Sequence, residues 1–282
     1  MRFTKMHGLG NDFIVIEAEK SELSPEDYSR TAIKLCDRHF GIGGDGLVIV
    51  GKDRELDVFM RIFNPDGSEP EMCGNAIRCV SKFVWERGLV STTRISVNTL
   101  AGPRYPEVIL KNGEVEKVRV DMGEPILERS LIPMLGSPGK VVGEELDTTA
   151  GRFRITAVSM GNPHCVVFVD EFSSVPVSEW GPVLENHPVF PSRTNVEFAK
   201  IEDENTVSMQ VWERGAGETL ACGTGACATL VASYLNDLTG RRATVRLKGG
   251  ELIIEWDPDN NHVYMTGEAK EVFTGEVDLR KL

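Results

Sequence analysis

Two Cys-Gly pairs, Cys73-Gly74 and Cys222-Gly223, stand 149 residues apart in a chain of 282. Each opens a segment with helical apolar spacing, Asn75 to Trp85 after the first and Thr224 to Val231 after the second. Glycine lets a backbone come close to a ligand. A helix start offers unpaired N–H groups and partial positive charge, which suit an anion. The same field stabilises a thiolate, so a cysteine pKa of ~8.5 can fall to roughly 3.5–7.5. Two such starts holding one carboxylate between them would put a thiol on each face of the adjoining carbon. One thiolate then removes a proton and the opposite thiol returns one. The outcome is inversion of a stereocentre without a cofactor.

Other uses of these residues fit less well. Cys36, Cys79, Cys165 and Cys227 lie inside helix or strand patterns and are expected in the core. The spacings Cys73-x5-Cys79 and Cys222-x4-Cys227 are not those of zinc ligand pairs, and the 5 histidines form no ligand cluster. No metal is expected. A redox disulfide between Cys73 and Cys222 lacks a Cys-x-x-Cys signature. Gly41-Ile42-Gly43-Gly44-Asp45-Gly46 lacks the Lys-Ser/Thr of a phosphate loop and reads as a tight loop.

The elements that must position the cysteines are mostly short strands. Short apolar runs read as strands over Arg2–His7, Phe13–Ala18, Leu47–Val50, Leu56–Phe63, Arg94–Asn98, Val108–Lys111 and Val115–Asp121. Asn112-Gly113 is a two-residue hairpin signal. Ser24, Pro25 and Asp27 predict a helix start whose inner face is Tyr28, Ala32, Leu35 and Cys36. Leu131–Gly151 reads as a loop insertion. Strands resume over Phe153–Val158, Cys165–Val169, Asn195–Ile201, Thr206–Trp212, Ala243–Lys248, Glu251–Trp256, His262–Thr266 and Val272–Leu279. Such close spacing argues against a doubly wound parallel sheet and for an α+β fold with antiparallel sheets wrapping a few helices.

The chain also reads as one unit used twice. Laying Asp57–Cys79 over Thr206–Ala228 gives 5 identities in 23, including Glu69/Glu218, Cys73/Cys222 and Gly74/Gly223. Gly10-Asn11 meets Gly161-Asn162 at nearly the same offset. The length itself suits two domains. Charge sets a further limit. With 31 Lys and Arg against 43 Asp and Glu, the net charge of −12 argues against nucleic-acid and anionic-membrane partners. No apolar run approaches a membrane span, and Met1–Lys5 leads into no apolar leader, so a cytoplasmic protein with reduced thiols is expected.

At the level of motifs the chain resembles the diaminopimelate epimerase family. The resemblance rests on Met6-His7-Gly8-Leu9-Gly10-Asn11-Asp12-Phe13, Gly41-Ile42-Gly43, the run Arg61–Glu69, and Met72-Cys73-Gly74-Asn75-Ala76-Ile77-Arg78. It continues through Met160-Gly161-Asn162-Pro163-His164, the run Arg193–Phe198, Trp212-Glu213-Arg214-Gly215, and Ala221-Cys222-Gly223-Thr224-Gly225. It implies a pyridoxal-phosphate-independent isomerase that interconverts LL- and meso-2,6-diaminopimelate in lysine and peptidoglycan-precursor synthesis. Cys73 would be the base for the LL isomer and Cys222 for the meso isomer. Asn11, Asn64, Asn162, Asn195, Glu213 and Arg214 would hold substrate. Backbone groups of Gly74-Asn75 and Gly223-Thr224 would meet the reacting carboxylate, and His164 and Glu213 would tune the thiols. The roles suit the side chains, since Asn both donates and accepts and Arg214 offers a fork to a distal carboxylate.

The resemblance further implies a homodimer of two pseudo-symmetric domains, each a curved antiparallel sheet around a central helix. Residues 1–120 with 268–282 would carry Cys73, residues 121–267 would carry Cys222, and the active site would lie in the cleft between them. There are departures. Gly46 stands where some members have a substrate-touching Gln, and Phe273 where some have a Tyr at a dimer contact. The competing enzyme reading is a proline or hydroxyproline racemase of the same fold. Its first motif usually reads Cys-Gly-His, whereas this chain has Asn75, and it needs no Arg214 for a second carboxylate. Both thiols argue against a variant of the fold that uses an acidic residue instead, and against a non-catalytic amino-acid binder.

Overall fold

Short runs rich in β-branched and aromatic residues form the strands, several of them with period-two burial. The computed structural model describes residues 1–21 and 23–281. Among these, the strands of the first stretch are β1 (Arg2–Gly8), β2 (Asn11–Glu17), β3 (Gly46–Lys52), β4 (Val58–Phe63), β5 (Val97–Thr99), β6 (Gly102–Arg104), β7 (Glu107–Lys111) and β8 (Glu114–Asp121). Then come β9 (Val141–Thr148), β10 (Gly151–Ser159), β11 (Pro163–Phe168), β12 (Asn195–Asp203), β13 (Thr206–Glu213) and β14 (Gly217–Thr219). The last are β15 (Arg242–Leu247), β16 (Gly250–Trp256), β17 (Val263–Gly267) and β18 (Lys270–Glu276). The α-helices are α1 (Tyr28–Cys36), α2 (Gly74–Glu86), α3 (Val177–Glu185) and α4 (Gly223–Leu235).

The chain divides into two compact units, Met1–Val120 with Gly267–Leu282 and Asp121–Thr266. In the first, strands run in the order β18-β1-β2-β3-β4-β5-β6. In the second the order is β17-β16-β15-β13-β12-β11-β10-β9, with β14 beside β13. Antiparallel pairs dominate, as the α+β reading expects. The structure adds parallel pairs that this reading did not contain. They are β2 with β3 and β4 with β5 in the first unit, and β11 with β12 and β13 with β15 in the second. A parallel pair needs a crossover connection, and each of these four is spanned by one α-helix. Strand, helix, parallel strand is therefore the repeated device. α1 corresponds to α3, and α2 to α4.

Three local expectations change. The predicted helix near Ser24 begins as a 3-10 turn, Pro25–Asp27, and becomes α-helical at Tyr28. Ser24 Oγ donates to Asp27 Oδ2 at 2.9 Å, and Tyr28, Ala32, Leu35 and Cys36 are buried as predicted, with Thr31 beside them. The 131–151 stretch is not a plain loop, because β9 runs through it and pairs with β10. Glu144, Glu145 and Asp147 on this outer strand disguise it. Helix α3 was missed because Gly181 and Pro182 sit inside it. Gly181 is there for space, since a Cβ would lie 2.5 Å from the Trp212 ring. The Asn112-Gly113 hairpin is present, with φ of 53° and 85°. Among the described residues no helix is long and apolar enough to cross a membrane.

Candidate functional site

In the first unit Cys73 is the N-cap residue of α2, extended at φ −139° and ψ 121°. Ile77, Val80 and Val84 on α2 are fully buried. Each such side chain is worth roughly 1.5–3 kcal/mol on burial, so the start of the helix is firmly anchored. Asn11 reaches this start from the β1–β2 turn. Its Oδ1 accepts from Asn75 Nδ2 at 3.0 Å and lies 4.0 Å from the Cys73 sulfur. Its Nδ2 donates to Asp45 Oδ2 at 2.8 Å. Asn64 opens a tight turn after β4, where its Nδ2 donates to Ser68 Oγ at 2.9 Å. Gly46 packs against Phe13 and the Phe63 carbonyl, with no side chain to offer a ligand.

In the second unit Cys222 is the N-cap residue of α4 at φ −118° and ψ 111°. Its sulfur accepts from Gly225 N at 3.3 Å and lies 3.5 Å from Thr224 Oγ1. Small residues let α4 sink into the unit, and ten of its residues are buried, including Gly223. Burial pushes the Cys222 thiol well above its usual range, and the nearby Glu213 and Glu197 carboxyls add to this. The Glu213 carboxyl stands near the thiol and accepts from Thr219 Oγ1. Burial in turn raises the Glu213 carboxyl. Burial thus disfavours the charged form of both the thiol and the carboxyl.

Around this pair stand the other predicted residues of the second unit. The His164 ring is fully buried, with Nδ1 2.7 Å from Glu197 Oε1 and Nε2 3.0 Å from Asn162 Oδ1. Asn195 donates to the Pro163 carbonyl at 2.9 Å and accepts from the Arg214 amide at 2.9 Å. The Arg214 guanidinium donates to the Ser192 carbonyl at 3.0 Å.

The structure adds residues that the sequence reading did not single out. Glu197 touches His164, and its Oε2 is buried without a hydrogen-bond partner. Glu185 on α3 accepts from Trp212 Nε1 at 2.7 Å and from Gly215 N at 3.0 Å. It thereby pins both ends of the Trp212–Gly215 turn that carries Glu213 and Arg214. Arg78 and Asp45 anchor the asparagines near Cys73. Glu197 and Arg78 both lie within the motifs quoted above. A charged residue between apolar core positions was the available signal.

None of the six cysteines is in a disulfide. Cys36, Cys79 and Cys165 are buried with thiols pushed up by desolvation, Cys36 to about 11 and Cys79 to about 12. Cys227 is also buried. These four sit in the core as expected. Among the described residues no group of three His, Cys, Asp or Glu side chains is placed to hold a metal.

A family model described as diaminopimelate epimerase matches residues 3–128 and 156–272. A diaminopimelate epimerase of Pelotomaculum thermopropionicum is 60% identical over 280 residues, covering 99% of this chain and 100% of the relative. Among solved structures, a phenazine biosynthesis protein of the PhzF family from Bacillus anthracis superposes with a TM-score of 0.72 at 18% identity, covering 99% of each chain. A probable proline racemase from Agrobacterium radiobacter, with bound carbonate, gives 0.69 at 17% identity, covering 99% of this chain and 93% of that one. At such identities the structural likeness speaks for the fold alone.

Proposed function

The chain belongs to the diaminopimelate epimerase family, and from that membership we propose that it interconverts LL- and meso-diaminopimelate with Cys73 and Cys222 as a pair of acid–base groups. The observation that carries this reading is the shared placement of the two thiols. Each is the N-cap residue of a 13-residue, largely buried helix that begins with glycine. For the LL isomer, the Cys73 thiolate takes the α-proton as the Cα–H bond breaks. The electron pair moves toward the carboxylate, whose growing charge meets the N–H groups of Gly74-Asn75 and Gly223-Thr224. The Cys222 thiol then gives its proton to the other face of the carbon. The reverse reaction exchanges the roles. No pyridoxal phosphate or metal takes part.

The high pKa of Cys222 supports its part as the donor for the LL substrate, because the thiol enters the reaction protonated. Asn11, Asn64, Asn162, Asn195, Glu213 and Arg214 hold the substrate's ammonium and carboxylate groups, and His164 and Glu213 set the state of the thiols. The reaction belongs to lysine and peptidoglycan-precursor synthesis in the cytoplasm. A homodimer is part of the proposal. Its support is β18, an outer strand that exposes Val272 and Phe273.

The test offers the reduced protein LL-diaminopimelate and, in parallel, L-proline. Meso-diaminopimelate should accumulate while proline keeps its configuration. Racemised proline with unchanged diaminopimelate would overturn the proposal.

A further inference from the structure

Arg78 is completely buried, which is costly for a guanidinium unless its donors are used. It donates to the Gly74 carbonyl at 3.1 Å, to the Glu268 carbonyl at 3.3 Å and to Asn75 Oδ1 at 2.8 Å. Asn75 then donates to Asn11 Oδ1, and Asn11 donates to Asp45 Oδ2. The far side of the Asp45 carboxylate accepts from Arg38 Nη2 at 2.7 Å. This is a chain of hydrogen bonds with two asparagines in the middle. An isolated asparagine amide has no fixed direction, because turning it over exchanges donor and acceptor. Here both ends are fixed by chemistry. A guanidinium only donates and a carboxylate only accepts. One direction therefore satisfies every bond, and turning either amide opposes two donors or two acceptors.

Gly8 shows how closely the chain is packed. A Cβ there would lie 3.0 Å from Arg78 Nη2 and 3.2 Å from the Asn75 carbonyl oxygen. The direction also decides what Cys73 meets. Asn11 turns its carbonyl oxygen, not its N–H, toward the sulfur 4.0 Å away.

We propose that Arg78 and Asp45 are positioning residues that lock the Asn75 and Asn11 amides in one direction, so that Asn11 offers the Cys73 thiol an acceptor. An acceptor beside sulfur favours the protonated thiol, whereas an N–H would favour the thiolate. The locked amide thus favours the form in which Cys73 carries its proton, the form that acts on the meso isomer, while the LL isomer meets the thiolate. The consequence for Cys73 rests on its reading as an acid–base group. The locked amides do not.

The test reverses the chain without changing its charge. In Asn75→Asp the new carboxylate faces Asn11 Oδ1, and two acceptors collide. In Asp45→Asn the fixed acceptor is lost. In the double variant Asn11 can turn over, donate to the new residue 75 carboxylate and accept from the new residue 45 amide. One bond is given up, that from Asp12 N to Asp45 Oδ2. Thermal unfolding of the double variant is expected to recover at least half of the loss in Tm summed over the two single variants. Simple addition of the losses, or a double variant that does not fold, overturns the locked direction. Single variants that fail to fold beside a folded double variant support it. This arm needs no substrate, so it stands apart from the epimerase reading.

The second readout is turnover. With fold stability regained and Asn11 reversed, kcat for the meso isomer, where the Cys73 thiol is the donor, is expected to stay about tenfold or more below the native value, about one thiol pKa unit. Recovery of kcat along with Tm, or a loss carried by KM alone, overturns the role toward Cys73.

Discussion

Cys222 and Glu213 illustrate how one residue sets the working range of another. Burial is the larger reason that the Cys222 thiol holds its proton, and the Glu213 carboxyl beside it is the next. Removing that charge in Glu213→Gln lowers the thiol pKa, so more thiolate is present near neutrality. Alkylation of Cys222 is expected to become severalfold faster, as followed by mass spectrometry of its peptide, while epimerisation slows. An unchanged alkylation rate would remove Glu213 from the account of this thiol. Asn11 and Asn162, which the sequence aligns, are held by different means. A carboxylate holds Asn11, whereas a buried His164–Glu197 pair lies against Asn162. Sequence similarity marked the asparagines and His164 but not Asp45 or Glu197, which come from distant positions in the chain.

At the scale of elements, the start of α4 depends on close packing that only a small residue allows. A Cβ on Gly225 would lie 2.7 Å from Glu197 Oε1 and 3.3 Å from the Cys222 sulfur. Alanine is the better helix former by about 1 kcal/mol, so helix propensity alone predicts that Gly225→Ala stabilises. The crowding predicts the opposite, a lower Tm and impaired turnover. A rise in Tm with full activity would contradict it. Most strands were legible in their apolar residues, as a continuous buried run in Leu47–Val50 and as period-two burial in Thr206–Trp212. The parallel crossovers were not, because periodicity says nothing about strand direction. α3 was hidden by Gly181, whose reason is the Trp212 ring from another element. The cysteines could be found because each stands before glycine at the start of an apolar period. Glu185, Asp45 and Glu197 act through contacts that only the folded chain creates.

At the scale of the whole molecule, charge and assembly carry separate predictions. Burial raises the Asp12 carboxyl, but hydrogen bonds from Arg38 and Lys5 outweigh this and take it down to about 2. A depressed carboxyl pKa contributes stability above its unfolded value of 3.8, and this is lost as pH falls toward about 2. Asp12→Asn should therefore cost on the order of 2 kcal/mol at neutral pH and progressively less in acid. Denaturant titrations at several pH values read this directly, and a pH-independent difference would contradict it. For the proposed dimer, Phe273→Asp places a charge on the exposed face of β18. Light scattering should then give about half the native mass in solution, and an unchanged mass would move the interface elsewhere.

In the proposed reaction two thiols, not one, handle the α-proton. The most direct measurement follows deuterium at the α-carbon when LL-diaminopimelate reacts in deuterated water at low conversion. Two bases predict deuterium in the meso product, delivered by Cys222, while the remaining LL substrate keeps its protium. Equal labelling of both isomers from the first turnovers would contradict the two-base account.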